Sequence, residues 1–210
     1  DFDIDQLIET IRGFHNTRQR YENFIQAVKE NKAGRADEVR EEIDFLMSVQ
    51  DMACRLTDLQ MEGKLPLRVT HNDTKLNNIL IDRATGEGIC VIDLDTTMPG
   101  LSINDFGDAV RFGASTAAED ETDLSKVNFD LQLYEVFTRG FLKGAQGALT
   151  KEELEYLPWG AKLMTLEVGM RFLTDYLDGD HYFRTAYPEH NLVRCRTQLK
   201  LVTEMEKAFD

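Results

Sequence analysis

His71-Asn72-Asp73-Thr74-Lys75-Leu76-Asn77-Asn78-Ile79-Leu80-Ile81 is where the texture of this chain changes. Before it, apolar residues recur at helical spacing; here a polar loop is followed by a short apolar run. Leu67-Arg68-Val69-Thr70 just upstream is a strand candidate. Asn78-Ile79-Leu80-Ile81 and Ile89-Cys90-Val91-Ile92 are predicted to pair as a hairpin. The turn between them is Ala84-Thr85-Gly86-Glu87-Gly88, with glycines where positive φ is wanted. Asp93-Leu94-Asp95 closes the segment.

On either side the period is helical. Leu7, Ile11, Phe14, Tyr21, Phe24, Ile25 and Val28 predict helix from Ile4 to about Asn31, and Asn16-Thr17 offers a cap that divides the stretch in two. Val39, Ile43, Leu46, Met52, Leu56 and Leu59 predict one long amphipathic helix ending at Gly63. After Pro99-Gly100, helices are expected over residues 103–112, 130–145 and 191–209. Another is opened by the capping box Thr150-Lys151-Glu152-Glu153 and runs to Leu177, with a break at Pro158. Glu119-Asp120-Glu121-Thr122-Asp123 reads as a solvated loop. The expected fold class is mainly α with a small β-hairpin insert (α+β), in one unit over residues 1–210. Residues 1–63 are helical, 64–100 hold the loop and hairpin, and 101–210 are helical.

The chain has 210 residues, 42% hydrophobic and 30% charged, which suits one packed domain. Acidic residues outnumber basic ones 38 to 24, for a net charge of -14. That balance argues against nucleic acid and against an anionic membrane surface as partners. No apolar run approaches the ~18 residues that span a bilayer. Asp1-Phe2-Asp3-Ile4-Asp5 has neither the basic nor the apolar region of a signal peptide, and without an initiator Met this end is expected to be a truncation point. Cys54, Cys90 and Cys195 are odd in number, form no CxxC pair and point to a reducing cytoplasm. Cys90 is expected to fill core from its strand, and Cys54 and Cys195 to pack in helices.

The chemistry concentrates in the loop and hairpin. Asp73 and Asn78 lie five positions apart on a loop between strands, and Asp93 ends the second hairpin strand. A strand-loop-hairpin of this kind brings the three side chains to one point. Phosphoryl transfer from ATP needs a carboxylate to accept the proton of the attacking hydroxyl. It also needs an Asn oxygen and a second Asp to hold Mg2+ against the phosphates. Lys75 is placed to touch the transferring group. Asp105-Phe106-Gly107 spells another metal motif, but it lies too far beyond Asp73; Asp93, one hairpin away, is assigned the metal.

His71-x-Asp73-x-Lys75-x-x-Asn78 followed by Ile92-Asp93-x-Asp95 resembles the catalytic and metal-binding motifs of the aminoglycoside phosphotransferase and choline kinase superfamily, which has a protein-kinase-like fold. The longer string HNDTKLNNILID…VIDLDTTMPGLSINDFGDAVRFGA is similar to N-acetylhexosamine 1-kinases, as are Gly13-Phe14-His15, Leu173-Thr174-Asp175-Tyr176-Leu177 and Arg194-Cys195-Arg196. The resemblance implies an ATP- and Mg2+-dependent kinase acting on a small sugar, GlcNAc or GalNAc. It makes Asp73 and Lys75 catalytic and Asn78 and Asp93 metal ligands, with Asp95 a further ligand or a support for one. His71 then braces the loop carrying Asp73, and Asp105, at the start of the following helix, braces the loop after the metal site.

Arg171, Asp175 and Tyr182 have two readings, a helix-end salt bridge with a packed aromatic, or recognition of sugar hydroxyls; Arg111 and Phe112 share the ambiguity. His15, His181 and His190 are expected at the surface or in caps. A complete kinase of this fold also has a β lobe with a phosphate-covering loop and a nucleotide-binding Lys. No G-x-G-x-x-G or Walker A sequence occurs here, so the chain reads as the C-terminal lobe, with its N-terminal lobe a missing partner and little activity alone. Two other classes bear on the same residues. A non-catalytic binding module is compatible with a missing lobe, as is a kinase for another hydroxylated acceptor such as an aminoglycoside, choline or homoserine. A sulfatase fails on chemistry, because neither a Cys nor a Ser stands two residues before a Pro.

Overall fold

The computed structural model describes residues 3–209; Asp1, Phe2 and Asp210 lie outside the described residues. Eight α-helices carry the fold among these residues: α1 (Thr17–Glu30), α2 (Arg40–Ser48), α3 (Gln50–Met61), α4 (Ser102–Gly113), α5 (Leu131–Ala145), α6 (Lys151–Glu155), α7 (Leu157–Asp178) and α8 (His190–Phe209). Four short strands, β1 (Arg68–Thr70), β2 (Ile79–Ile81), β3 (Gly88–Val91) and β4 (Met98–Gly100), form two antiparallel pairs, β1 with β4 and β2 with β3. The mainly α class with a small β insert is what the sequence implied.

Two apolar clusters make the core. One joins α1, α2 and α3 to α7 and α8 through Phe24, Ile43, Leu46, Leu166, Met170 and Val202. The other joins α3, α4, α7 and α8 through Leu56, Ile103, Phe106, Leu163 and Met205. Helix α7 belongs to both, which explains its nearly all-round burial and weak amphipathicity. It also lies very close to α4: a Cβ on Gly107 would collide with the Gly160 backbone, and one on Gly160 would stand 2.5 Å from the Ile103 carbonyl oxygen. The two glycines permit a backbone-on-backbone approach that any side chain would block.

Several expected elements take another form. Helix α1 starts at Thr17, where the Asn16 side chain accepts from the Gln19 amide, but the stretch before it holds only a 3-10 turn, Ile4–Gln6. Ile8 and Ile11 are exposed, so a helix there would lack the packing that offsets its nucleation cost. Gly13, at φ 64°, turns the chain instead. The single helix expected over residues 39–63 is two, broken at Val49, whose φ and ψ of -107° and 24° leave the helical region. The break expected at Pro158 falls at Tyr156, and Pro158 sits in the first turn of α7, where its missing N–H costs nothing. Pro99-Gly100 lies in β4, paired with β1.

The acidic stretch 119–123 is not simply solvated. Glu119 pairs with Arg111 at 2.9 Å, Asp120 meets His190 at 3.3 Å, and the Glu121 carbonyl accepts from Thr197. His190, expected at the surface or in a cap, is accordingly buried as the first residue of α8, where its Nδ1 accepts from the Ala186 amide. Cys90 is exposed rather than core-filling, because neither face of the β2–β3 hairpin is covered by the described residues; Cys54 and Cys195 are buried as expected.

Candidate active site

The loop between β1 and β2 is shaped from beneath by α4. The Asp105 carboxylate accepts from the backbone amides of His71 at 2.8 Å and Asn72 at 2.7 Å, and the Asp105 carbonyl accepts from Thr74 Oγ1 at 2.6 Å. Asn72 adopts φ 64°, a conformation Asn tolerates, and its side chain donates to the Thr96 carbonyl while accepting from Thr70 Oγ1. Burial pushes the Asp105 carboxyl above the ordinary carboxylate range, and the two amides and the neighbouring histidines oppose that rise. The Asp105-Phe106-Gly107 string thus lies under the loop, with its carboxylate engaged by backbone.

His71 joins the loop to the hairpin. Its Nε2 donates to the Ile92 carbonyl at 2.9 Å and its Nδ1 accepts from the Asp73 amide at 3.3 Å, a pair of partners that fixes the neutral Nε2–H tautomer. The Ile92 amide in turn donates to the Asn78 carbonyl at 2.9 Å, which puts Asp93 next to Asn78 across the β2–β3 pair.

Asp73 stands at the loop's apex, partly exposed. Its Oδ2 accepts from Lys75 Nζ at 2.6 Å and from Asn78 Nδ2 at 3.0 Å, and its carbonyl accepts from Asn78 Nδ2 at 2.8 Å. Asn78 is buried, so its amide is oriented firmly. With Nδ2 committed to Asp73, Oδ1 faces away and makes no hydrogen bond among the described residues. Asp93, at φ 65°, and Asp95 carry exposed carboxylates that likewise have no hydrogen-bond or ion-pair partner among the described residues. Each of the three offers hard oxygen, the donor chemistry Mg2+ takes when it also keeps water and phosphate oxygens. No group of three or more His, Cys, Asp or Glu side chains is close enough among the described residues to hold an ion alone.

Beside Asp73 a cavity of about 510 Å³ opens between the loop, α4, α7 and the segment before α8. Lys75, Arg111, Phe112 and Arg171 line it with Asp73. Arg171 lies 5.5 to 5.7 Å from the centroids of Phe14, Tyr182 and Phe183, a guanidinium held among aromatic faces. Arg111 is buried and engaged by Asp108 and Glu119, so it stiffens the wall. Its burial would depress the guanidinium, but the two carboxylates more than offset this and hold it protonated.

Asp175 and Tyr182 are not brought into this cavity. Asp175 accepts from the amides of His181, Tyr182 and Phe183 and from Asn191 Nδ2, which uses its carboxylate to shape the turn after α7. Tyr182 is 68% exposed; it meets Arg171 at 3.3 Å and lines a separate cavity of about 180 Å³ with Asp175.

His15, expected at the surface or in a cap, has a side chain only 9% exposed that lines the cavity beside Asp73. Its partners are the Asn72 carbonyl and Glu167 of α7, which is wholly buried. Glu167 was missed altogether, although a carboxylate in the apolar run Leu163-Met164-Thr165-Leu166-Glu167-Val168-Gly169-Met170 requires a partner.

A family model described as the phosphotransferase enzyme family matches residues 3–139, a span holding the loop, the hairpin, α4 and the Gly13-Phe14-His15 turn. The match covers more than half of the chain and includes every catalytic and metal-binding candidate. The chain belongs to the phosphotransferase enzyme family.

Proposed function

We propose that this chain carries the catalytic loop, the metal-binding hairpin and the acceptor cavity of an ATP- and Mg2+-dependent small-molecule kinase. The observation that carries this reading is the Asp73 carboxylate, held by Lys75 and Asn78 at the mouth of the cavity, beside three side chains whose oxygens are free for a cation. Asp73 accepts the proton of the acceptor hydroxyl, and Lys75 bridges from that carboxylate to the transferring phosphoryl group. Asn78 Oδ1 and Asp93 would hold Mg2+, with Asp95 a further ligand. The metal neutralises phosphate charge when bound; the protein positions both reactants.

The acceptor we propose is an N-acetylhexosamine, GlcNAc or GalNAc, phosphorylated on its anomeric hydroxyl. Phe14, Phe112, Phe172 and Phe183 offer faces for an apolar ring surface, and Arg171 offers planar donors for ring hydroxyls. Three unbridged cysteines support a reducing, cytoplasmic setting, and no helix among the described residues is long and apolar enough to cross a membrane.

A second lobe completes the site in this reading. Ile79, Leu80, Ile81, Ile89, Val91 and Ile92 are 36 to 64% exposed on one hairpin, an apolar surface suited to an adenine ring and a covering lobe. The decisive experiment joins this chain to a glycine-loop N-terminal lobe and assays it with ATP, Mg2+ and a panel of free sugars, aminoglycosides, choline and homoserine. Phosphorylation of N-acetylhexosamines at the reducing carbon supports the reading. Transfer only to an amino alcohol would sink the sugar assignment, and transfer to nothing would sink the kinase.

A further inference from the structure

We propose that His15 is a positioning residue that, as an imidazolium, clamps the catalytic loop to α7. This rests on reading Asp73 as the reactive carboxylate. His15 Nε2 donates to the carbonyl of Asn72, the residue immediately before Asp73, at 3.0 Å, and its Nδ1 lies 2.9 Å from Glu167 Oε1. A carbonyl can only accept. The other contact is to a carboxylate 0% exposed, with no water-facing side to stabilise it. Two acceptors facing both ring nitrogens call for two N–H groups.

The surroundings push the same way. Glu167 Oε2 and Asp108 Oδ2 are buried side-chain oxygens without a partner among the described residues, against one such donor, Arg20 Nε, so unpaired acceptors outnumber unpaired donors around the ring. Glu167 from α7 and Asp105 and Asp108 from α4 act on His15, and Arg171 from α7 and Arg20 from α1 act on Glu167; Arg111 engages Asp108, and the neutral His71 donates its backbone amide to Asp105. Burial alone would lower the His15 pKa, but the charge and hydrogen bond of Glu167, the Asn72 carbonyl and Asp108 outweigh it and raise the pKa above the ordinary histidine value. Burial would likewise raise Glu167, and His15, Arg171 and Arg20 instead hold it below the ordinary glutamate value.

Fold and function meet in this contact. Gly13 turns the chain and Arg20 holds the Phe14 carbonyl at 3.0 Å, which delivers His15 from the segment before α1 to the underside of the loop. Asp105 holds the same loop through the His71 and Asn72 amides. The Asn72 peptide is thus fixed from both ends, its N–H by α4 and its C=O by α7 through His15. Asp73 inherits that orientation.

The sign of the pH dependence follows. His15 is raised, so its contribution is full below about pH 6.5 and is lost as pH rises through its folded pKa. Glu167 is lowered, so its part is present above about pH 4.5 and is lost as pH falls through its folded value. The clamp therefore holds from mild acid to above the ordinary histidine range.

The test reads ring nitrogens and loop amides of this chain by NMR, and needs no substrate. In the wild type the His15 ring should keep both nitrogens protonated past pH 6.5, and the Asn72 and Asp73 amide shifts should follow the same midpoint. Glu167→Gln should bring that midpoint to 6.5 or below. His15→Gln keeps a donor for the Asn72 carbonyl, so the loop amides should hold their acid-side shifts and stop titrating; His15→Ala should displace them at every pH. A His15 midpoint at or below 6.5 in the wild type, or loop amides indifferent to it, overturns the clamp. In the two-lobed enzyme, His15→Ala should lower kcat at least ~10-fold with little change in acceptor or nucleotide KM, with His15→Gln between. Unchanged kcat in His15→Ala overturns the positioning role. An enzyme that transfers phosphate to nothing would remove the kinase reading, while the NMR result would still decide the clamp.

Discussion

Asp73 Oδ2 already accepts from Lys75 and Asn78, so Asp73→Asn retains the loop's shape better than any other change while removing the proton acceptor. We expect kcat in the two-lobed kinase to fall at least ~10²-fold with acceptor KM nearly unchanged, the usual reach of a general base; near wild-type turnover would refute the assignment. The two candidate metal aspartates separate by what they touch. Asp93 has a free carboxylate, whereas the Asp105 carboxylate serves two backbone amides. Asp93→Ala should abolish turnover while leaving the melting temperature close to wild type. Asp105→Ala leaves buried amides without an acceptor, at about 1–3 kcal/mol for each such group, and should melt early. Equal melting of the two variants would contradict the division. The loop residues could be read from sequence because they are contiguous, with residue types that chemistry demands. His15 and Glu167 could not, since only the packing of α7 against the turn before α1 brings them together across most of the chain.

Between elements, Glu153 does more than the capping box announced. It closes the N-terminus of α6 with Thr150, accepts from Arg68 of β1 at 2.6 Å through each oxygen, and accepts from Ser102 Oγ at the start of α4. One buried carboxylate therefore ties β1, α4 and α6 together at the edge of the loop that carries Asp73. Burial would raise its pKa, but Arg68, Ser102 and the Thr150 amide hold it below the ordinary value. Its contribution is present above about pH 4.5 and disappears as pH falls through the lower folded value. Glu153→Gln should destabilise by about 3 kcal/mol near neutrality, and the gap from wild type should narrow in acid; a gap that does not change with pH would show that the charge is unimportant. The Thr150 box was readable because its partners lie within one turn, while the long-range half depended on β1 and α4 arriving nearby. The same limit explains the mistaken helix before Thr17: the period was present, but Ile8 and Ile11 found nothing to pack against. Gly107 and Gly160 had no sequence signal beyond being glycines in helices. Gly107→Ala should cost about 1–3 kcal/mol through overpacking against the Gly160 backbone, measured by denaturant midpoint at constant m.

At the scale of the whole molecule, the two apolar clusters share α3, α7 and α8. Leu166 and Met170 face one while Ala161 and Leu163 face the other, and Val202 and Leu201 divide in the same way on α8. Neither cluster can come apart without exposing helices that also build its neighbour, so the chain should unfold in one transition, with near-UV and far-UV signals coincident. None of the large fully buried residues lies on the β2–β3 hairpin, whose apolar side chains are exposed on both faces. Stability and the exposed apolar hairpin are thus carried by different parts of the molecule. On the proposed two-lobe reading, a protein built this way should fold without a covering lobe but lack half of the phosphate clamp. Phosphoryl-transfer catalysis consists almost wholly of positioning and electrostatic stabilisation, so a one-sided clamp forfeits most of the rate. We therefore expect the 210-residue chain to be cooperatively folded and to show no appreciable ATP-dependent transfer, while retaining weak acceptor affinity in the cavity beside Asp73. The measurement is a parallel assay of this chain and the two-lobed enzyme at identical ATP and Mg2+, with calorimetric titration of the acceptor into each. Comparable kcat values would mean that the chain completes a nucleotide site by itself, for instance by pairing two hairpins, and would end the two-lobe account.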